Sequence, residues 1–563
     1  MLGQRWYDYS VDVFKAAGRL AGRAGLEARY AATLMRAGGP GIARTPPHRL
    51  LGSLLALDAY GPLGAAIALA SGAYRDHRAI IDDRGSLSFA ELDRRSNALA
   101  NALRDRGLQP AAGLAIMARN HRGLFESLLA GAKLGARTLL LNTDFAAPQL
   151  VEVCRREDVA VLVHDEEFTQ VAAEVEPSNG KYVAWVDGAV SSDESSLDEL
   201  IAAGPVSRPP KPASTQRIVL LTSGTTGTPK GAPRNLALSL ALPGGYLSRI
   251  PFRSGRAAVL TAPAFHAWGL LSSCIALSLG NTVVITRKGD PKWTLDSLER
   301  HRADVLISVP ILLSRLLDVG EREIRSRDLS KLRVVALSGS ALSLELANQA
   351  MDLLGDVVYN LYGSTEVAYA AIATPRDLRD APGTVGRPPT GTTVRLFDQD
   401  GEPVPPGWQG RIFVGSSMQF EGYSGGGSKE VIAGLMSTGD VGHFDGSGRL
   451  FVDGRDDDMI VSGGENVFPA EVEDLLGGLA GVRETAVVGV DDAQFGKRLR
   501  AYVVKDDGAE LTEDDVKSYV KANLARYKVP REVVFVDDLP RNPAGKVVKR
   551  DLAEPDPDSD GAR

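Results

Sequence analysis

The feature that most limits how this chain can fold is a regular alternation of short apolar strands with amphipathic helices, which begins near Ser86. A helical pattern at 89–106 is followed by an apolar strand at 113–117, and a second helical pattern at 122–134 is followed by a strand at 138–141. Strands separated by helices usually pair in parallel, because the helix carries the chain back across the sheet. The sequence therefore predicts an α/β protein with parallel sheets covered by helices.

The chain is too long for a single hydrophobic core, since 563 residues exceed the usual size of one domain. Residues 391–414 and 449–453 have the turn-rich pattern of a small antiparallel β-subdomain. The sequence becomes polar and charged at Asp453–Asp458, and the residues that follow are enough for a small domain. The predicted divisions are a helical extension at 1–74, a large domain at 75–455, a small α+β domain at 456–552 and a disordered tail at 553–563.

A segment rich in glycine and hydroxyl groups, Thr222–Gly231, directly follows the apolar strand Ile218–Leu221. Its glycines permit a tight turn with backbone N–H groups close to an anion, and its hydroxyls and Lys230 supply further donors. The order differs from the nucleotide-binding loop G-x-x-x-x-G-K-[ST], because Pro229 precedes the lysine. A flexible linker is the alternative, although linkers seldom follow a strand directly. The segment is predicted to hold phosphate groups.

The overall charge and the rare residue types exclude several classes of function. A formal net charge of −7 argues against general nucleic-acid binding. Cys154 and Cys274 lie far apart, and the histidines are scattered without metal-ligand spacing. Few cysteines and no visible secretory signal favour a reducing, cytoplasmic compartment.

The first 70 residues allow two interpretations. Residues 1–49 are locally basic, and an apolar stretch runs from Leu50 to Ala70. Asp58 and Gly61-Pro62 interrupt this stretch, so a membrane-spanning helix is not expected. A basic segment beside an apolar one can make peripheral contact with the inner face of a membrane. The other interpretation is a helical extension packed on the body of the protein. The sequence does not indicate an oligomeric state.

Further motifs follow the phosphate loop in a fixed order: Asn360–Glu366, Ser437–Asp440, Gly454–Asn466 and Asn542–Lys546. Together they make the chain resemble the adenylate-forming superfamily, and within it the acyl-CoA synthetases, over roughly residues 75–550. The resemblance implies a large N-terminal domain of two doubly wound sheets plus a β-subdomain. A small, mobile α+β C-terminal domain would follow.

The same resemblance implies an activity that uses ATP, Mg²⁺ and coenzyme A. A small-molecule carboxylic acid would attack the α-phosphorus of ATP, giving acyl-AMP and pyrophosphate. The coenzyme A thiolate would then take the acyl group and release AMP. Both reactants of the first step are anionic, so cations and aligned donors are needed where negative charge concentrates.

The resemblance also assigns roles to individual residues of the nucleotide site. The β- and γ-phosphates would be held by Thr222, Ser223, Gly224, Thr225, Thr226, Gly227 and Lys230. The other assignments are adenine for Asn360 and Tyr362, the nucleotide without a specified group for Gly363, the α-phosphate for Thr365, and the ribose for Asp440 and Arg455. Glu366 would hold Mg²⁺, which prefers one or two carboxylates together with phosphate oxygens.

The assignments in the C-terminal domain centre on Lys546. Its loop is rich in turn residues and can present the lysine away from its own domain, where the ammonium would bridge the carboxylate oxygen and the α-phosphate. Without the resemblance, a solvated lysine beside Lys549 would be the simpler interpretation. Rotation about Asp457 would later bring Gly463 and Gly464 to the acyl-adenylate, where glycines leave room for the pantetheine arm.

The acid site is predicted around Phe265–Gly269, where His266 would orient the substrate carboxylate as a third catalytic residue beside Lys546 and Glu366. No aspartate that could bind a substrate ammonium occurs in 264–270, which favours a plain carboxylic acid. Nearby apolar segments predict a narrow groove for a medium- or long-chain fatty acid. The alternatives are an aryl-acid CoA ligase, an acyl-AMP ligase that loads a carrier protein, and, more remotely, a non-catalytic lipid-binding scaffold.

Overall fold

A computed structural model of the chain describes residues 22–38, 47–187, 194–222, 230–235, 239–420, 422–424, 426–456, 460–462, 465–492, 496–524, 528–542 and 545–553. Elements are numbered in chain order. The first two helices are α1, residues 22–38, and α2, Pro47–Ala73. Helix α2 bends at Gly61, which has φ 70° and precedes Pro62, so the predicted interruption is a kink between two helical halves.

The second half of α2 packs on the body of the protein. Leu63, Ile67 and Ala70 are buried in the largest apolar core, and the helix also contacts later helices of the large domain. This packing favours the helical-extension interpretation over the membrane interpretation for this half of α2. None of the helices formed by the described residues has the length and the apolar character that crossing a bilayer requires.

The first large sheet has eight strands. They are β1 (Arg78–Asp82), β2 (Gly85–Ser88), β9 (Ala257–Leu260), β10 (Thr282–Val284), β11 (Val305–Ser308), β12 (Val334–Leu337), β13 (Val358–Tyr362) and β14 (Ala371–Ala373). Their order is β14-β13-β12-β11-β9-β10-β1-β2, and the six central strands are parallel while both edge strands are antiparallel. Its associated helices are α7 (Ala241–Leu247), α8 (Ala267–Ser278), α9 (Pro291–Arg300), α10 (Pro310–Leu317), α11 (Glu321–Arg325), α12 (Leu344–Leu354) and α13 (Pro375–Asp380).

The second large sheet has six strands. They are β3 (Gly113–Met117), β4 (Arg137–Leu140), β5 (Val159–Asp165), β6 (Lys181–Trp185), β7 (Arg217–Thr222) and β8 (Lys230–Asn235). The order is β6-β5-β3-β4-β7-β8, with β8 alone antiparallel to its neighbour. Its helices are α3 (Phe89–Asp105), α4 (Arg122–Leu134), α5 (Ala147–Arg156), α6 (Leu197–Ala203) and the short 3₁₀ turn Glu166–Phe168.

Local signals explain where the helices of this sheet begin and end. Ser88 and Glu91 form a capping box at the start of α3, which satisfies backbone N–H groups that have no partner inside the helix. Gly135 ends α4 in the left-handed conformation with φ 63°, and a Cβ there would lie 2.0 Å from the Ser214 carbonyl oxygen. The largest apolar core includes residues of both large sheets and of the helices between them, so it joins the two sheets.

A β-subdomain and a C-terminal domain complete the fold. The subdomain is an antiparallel sheet of β15 (Thr393–Phe397), β16 (Gly410–Gly415), β17 (Val431–Ile432), β18 (Leu435–Phe444) and β19 (Leu450–Arg455). The C-terminal domain contains β20 (Ile460–Ser462), β21 (Glu465–Val467), α14 (Pro469–Gly477), β22 (Val482–Asp492), β23 (Gly496–Lys505), α15 (Glu513–Asn523), β24 (Glu532–Phe535) and α16 (Arg550–Ala553). The predicted architecture is confirmed, whereas the domain boundaries at 74, 455 and 552 stay predictions.

Candidate active site

One continuous cavity of about 2590 Å³ lies where the large domain, the β-subdomain and the C-terminal domain meet. The loops that follow β9, β11, β12 and β13 reach it, so it opens at the carboxyl ends of parallel strands, where α/β sheets usually bind ligands. The predicted site residues that line it are His266, Asn360, Tyr362, Gly363, Thr365, Glu366, Asp440, Arg455 and Lys546. The structure thus brings residues from three parts of the chain to one cavity.

The turn after β13 places the proposed magnesium ligand. Gly363 has to be glycine, because a Cβ at this position would lie 2.3 Å from the Ala368 carbonyl oxygen. The turn buries Glu366, whose Oε1 accepts a hydrogen bond of 2.7 Å from the Tyr423 hydroxyl. The Phe420 N–H donates to the Glu366 carbonyl oxygen at 2.9 Å. Glu366 is therefore held in place in the cavity lining.

The charge around Glu366 is suited to a metal that takes its other ligands from substrate and water. Among the described residues, no group of three or more His, Cys, Asp or Glu side chains could hold a metal ion. Mg²⁺ commonly binds through one or two carboxylates plus phosphate oxygens. Glu366 fits that mode and would hold the ion, which would neutralise charge on the phosphates of ATP.

A second carboxylate of the cavity lining belongs to the β-subdomain. Asp440 on β18 and Arg455 on β19 face each other in an antiparallel pair, with 3.9 Å between Asp440 Oδ1 and Arg455 Nε. The Tyr362 hydroxyl donates to Asp440 Oδ2 at 2.5 Å. Burial raises the pKa of the Asp440 carboxyl, and the charges of Arg455 and Lys546 oppose that rise. The Asp440 carboxylate lines the cavity, where it can accept hydrogen bonds from sugar hydroxyls.

Among the buried polar atoms of the cavity wall that make no hydrogen bond with any described residue, two belong to predicted site residues. They are Asn360 Oδ1 and His266 Nε2. Buried polar atoms without partners are uncommon in native proteins and often mark the place where a ligand binds. Asn360 Oδ1 can accept from an exocyclic amine of adenine, and His266 Nε2 lies at the start of α8, beside the predicted acid site. Both observations fit a bound nucleotide and acid.

Burial lowers the pKa of His266 from 6.5 to about 4, so its imidazole is neutral at physiological pH. The unfolded chain binds this proton more tightly than the folded chain does, so stability should fall as the pH decreases from about 6.5 to about 4. Between about pH 7 and pH 5, the free energy of unfolding of the wild type should fall by about 1–2 kcal/mol more than that of His266→Gln, which lacks this titrating group. Urea unfolding of both proteins at each pH measures it. If the free energy of unfolding falls equally in both proteins, His266 does not have a lowered pKa in the folded chain.

The C-terminal domain delivers Lys546 to the cavity. Asn542 Oδ1 accepts from the Lys546 N–H at 2.9 Å, and Arg541 donates to the Gly545 carbonyl oxygen at 2.7 Å while its other nitrogen contacts Glu484 at 2.6 Å. Gly545 packs against the large domain, because a Cβ there would lie 2.3 Å from Ile311 Cγ2. The Lys546 ammonium lies close enough to Asp440 to lower the pKa of that carboxyl. The lysine loop is therefore braced and docked.

Several predicted site residues lie outside the described residues. They are Ser223, Gly224, Thr225, Thr226 and Gly227 of the phosphate loop, Gly463 and Gly464, and the hinge candidate Asp457. The backbones of Thr222 and Lys230 are described and face each other in the β7–β8 pair. The phosphate loop therefore connects the ends of two hydrogen-bonded strands, at the edge of the second sheet. The individual roles of all these residues stay predictions.

Sequence reasoning missed residues that support the site. Tyr423, the partner of Glu366, is one. Ser424 is another: its N–H donates to the Gly231 carbonyl oxygen at 2.9 Å, and its hydroxyl donates to buried Glu157. A Cβ on Gly231 would lie 2.6 Å from the Ser424 hydroxyl oxygen, so the strand that leaves the phosphate loop is packed tightly against this pair. Residues 420–424 contain no motif, and only spatial proximity reveals them.

Two family models match the chain. Residues 68–424 match the family model of the AMP-binding enzymes, and residues 471–546 match that of the AMP-binding enzyme C-terminal domain. A feruloyl-CoA synthase of Amycolatopsis sp. is 34% identical over 477 residues, which cover 83% of this chain and 93% of the relative. A fatty acid–[acyl-carrier-protein] ligase of Streptomyces coeruleorubidus is 30% identical over 494 residues, covering 84% of this chain and 93% of that protein.

A solved structure gives the same result for the fold. The crystal structure of ATP-bound MatB from Rhodopseudomonas palustris superposes with a TM-score of 0.75 at 29% sequence identity. The superposition covers 85% of this chain and 95% of that one. The similarity therefore extends over the large domain and the C-terminal domain together.

Proposed function

The chain belongs to the AMP-binding enzymes, as an AMP-forming acid–CoA ligase of the adenylate-forming superfamily, and we propose that its acid substrate is a medium- or long-chain fatty acid. ATP, Mg²⁺ and coenzyme A are its other reactants. The relatives differ in the acid that their names give, and the residues that line the cavity of this chain support the fatty acid.

The observation that carries the proposal is that helix α8 contributes apolar residues to the cavity lining along its whole length, and we call this part of the cavity the α8 arm. The arm begins at His266, which precedes the helix, and its lining continues through Leu271 and Ile275 to Leu279, which follows it. A helix of 12 residues is about 18 Å long. An arm of that length is suited to an extended hydrocarbon chain whose carboxylate lies beside His266.

The groups at the inner end of the arm are suited to the chemistry of the first step. The acid carboxylate and the α-phosphate of ATP repel each other, and the Lys546 ammonium is positioned to lie between them. Neutral His266 can orient the carboxylate without competing for the negative charge of the phosphate. Glu366 would hold Mg²⁺, and Asp440 would hold the ribose. We propose these roles together, as one arrangement that brings two anions into contact.

An aryl acid is the second candidate substrate, because the relative described above with 34% identity is a feruloyl-CoA synthase. A phenylpropenoic acid would occupy only the inner part of the α8 arm. A fatty acid that reaches Leu279 would in addition bury the apolar side chains beyond it. The choice between the two therefore depends on whether the outer part of the arm contributes to binding.

The thiol that accepts the acyl group also has to be identified. The fatty acid–[acyl-carrier-protein] ligase among the relatives keeps the adenylation step and changes the thiol. Coenzyme A is the acceptor that we propose here. If acyl-AMP accumulates in the presence of coenzyme A, another thiol acceptor is required.

A substrate panel tests the proposed acid directly. Pyrophosphate release is measured with short, medium and long fatty acids and with several benzoates and phenylpropenoates, with and without coenzyme A. Each buried methylene contributes about 0.8 kcal/mol, so we expect kcat/KM to rise about tenfold for every two added carbons until the arm is full. Higher kcat/KM for the aryl acids than for every fatty acid would contradict the proposal. Release of ADP instead of AMP would contradict the reaction itself.

A further inference from the structure

The outer part of the apolar arm is formed by helices that lie mostly outside the family match. The match begins at residue 68, so α1 and most of α2 precede it. These two helices nevertheless contribute Glu27, Ala31, Leu34 and Met35 of α1, and Pro62, Ala66 and Leu69 of α2, to the cavity lining. This chain thus has cavity walls that the matched family domains do not supply.

The cavity-lining residues of each helix are spaced so that they lie on one face of that helix. Ala31, Leu34 and Met35 are three and four residues apart, which places them on one face of α1. Ala66 and Leu69 of α2 are likewise three apart and only partly buried, whereas Ile67 between them is buried in the core. One face of each helix therefore borders the cavity, and α2 is fixed by its other face.

Helix α1 is fixed at its first turns by specific contacts with the large domain. Glu27 accepts hydrogen bonds from the Ser239 hydroxyl at 2.6 Å and from the Leu240 N–H at 3.1 Å. Tyr30 is buried against two glycines, and a Cβ on Gly391 would lie 1.6 Å from the Tyr30 hydroxyl oxygen. The helix therefore occupies a site that is built to receive it.

The end of α1 lies near the far end of α8. The Ser254 N–H donates to the Ala37 carbonyl oxygen at 2.9 Å, and the Ser254 hydroxyl donates to the Gly38 carbonyl oxygen at 2.6 Å. The next residue, Gly255, donates to the carbonyl oxygen of Leu279, which follows α8, at 3.2 Å. Helix α1 thus closes the arm at the end opposite His266.

We propose that α1 and α2 form the distal wall of the acyl site and select acids by chain length. The inference rests on the proposed fatty-acid substrate. An extended hydrocarbon advances about 1.3 Å per carbon, given single bonds of about 1.5 Å at tetrahedral angles. The 12 residues of α8 therefore correspond to about 14 carbons. Only acids near or above that length reach Ala31 and Leu34, so these side chains discriminate among long acids and leave short ones unaffected.

Two neighbouring alanines of α1 provide a matched test, because Ala31 lines the cavity and Ala32 is exposed to solvent. We expect Ala31→Trp to lower kcat/KM for hexadecanoate at least about tenfold, since the indole takes space from the terminal methylenes, and to leave octanoate unchanged. Ala32→Trp should match the wild type with both acids. Octanoate activity is the internal check that Ala31→Trp is folded.

A second variant acts in the opposite direction and does not depend on inserting a large ring. Leu34→Ala enlarges the distal end, so the preferred chain length should increase by at least two carbons.

If the wild type prefers hexadecanoate and neither Ala31→Trp nor Leu34→Ala changes the ratio of hexadecanoate to octanoate activity, the distal-wall inference is overturned and the fatty-acid substrate stands. If the wild type activates aryl acids and no fatty acid, the proposed substrate fails first and the inference fails with it.

Discussion

Replacing Lys546 with alanine is expected to slow acyl-adenylate formation by about a hundred- to a thousandfold, the range found when a preorganised group that stabilises transition-state charge is removed. The reason is geometric. The lysine loop is braced by Asn542 and Arg541 and packs against Ile311, while the ammonium lies close to Asp440. A cation free in solution would have to be oriented at the moment of reaction, whereas the Lys546 ammonium is already held in the cavity lining.

The measurement should separate the two half-reactions. Pyrophosphate exchange reports adenylation, and transfer from synthetic acyl-AMP to coenzyme A reports the second step, which Lys546→Ala should leave near the wild-type rate. Lys549→Ala is the matched control, because Lys549 pairs with Glu473 within the C-terminal domain at 2.7 Å. Its adenylation should remain normal. Unchanged pyrophosphate exchange in Lys546→Ala would show that another group supplies the charge.

The contact between the two domains also bears on the proposed rotation. Asp474 on α14 lies near Glu345 on α12, so like charges meet across this contact. Burial raises the pKa of Asp474 to about 6, and the carboxylates of Glu473 and Glu345 act in the same direction. Like charges weaken the docked arrangement at neutral pH, which would favour the proposed rotation of the C-terminal domain. Rotation about Asp457 itself stays a prediction.

Elements set by local interactions were predictable from the sequence. Strand β3 has the predicted bounds, Gly113–Met117, and so does helix α4, Arg122–Leu134, because apolar runs and caps are properties of adjacent residues. Strand order was not predictable, since the pairing of β9 with both β10 and β11 depends on contacts distant in sequence. The antiparallel β8 was missed for the same reason.

The residues of the site likewise fall into those that sequence motifs reveal and those that only the fold reveals. Tyr362 and Asp440 belong to motifs that the sequence displays, and the structure brings them within 2.5 Å. Tyr423, Ser424 and the face of α1 carry no motif, because their roles arise from packing against Glu366, Gly231 and the acyl arm. Motifs therefore predicted the residues proposed to contact ATP, whereas the residues that support them and shape the acid site required the fold.

The second large effect is expected at Asp440. Its carboxylate is proposed to accept hydrogen bonds from both ribose hydroxyls, and hydrogen bonds to charged groups contribute about 1.5–3 kcal/mol each. Asp440→Ala should therefore raise the KM for ATP by at least about a hundredfold. The fold should survive, because the Tyr362 hydroxyl that loses Asp440 still has Thr438 Oγ1 at 3.2 Å. Asp400→Ala, an exposed carboxylate of the same subdomain, is the control and should behave as the wild type.

Deoxynucleotides make the Asp440 prediction specific for the ribose. Wild-type protein should use 2′-deoxy-ATP and 3′-deoxy-ATP less well than ATP, because each analogue removes one donor to the carboxylate. Asp440→Ala should lose this discrimination, since neither hydroxyl then has its acceptor, and all three nucleotides should give similar kcat/KM values. A variant that still prefers ATP by the wild-type factor would place the ribose elsewhere in the cavity. General damage to the site would lower all three values and leave their ratios unchanged, so the ratios distinguish a ribose contact from a structural role.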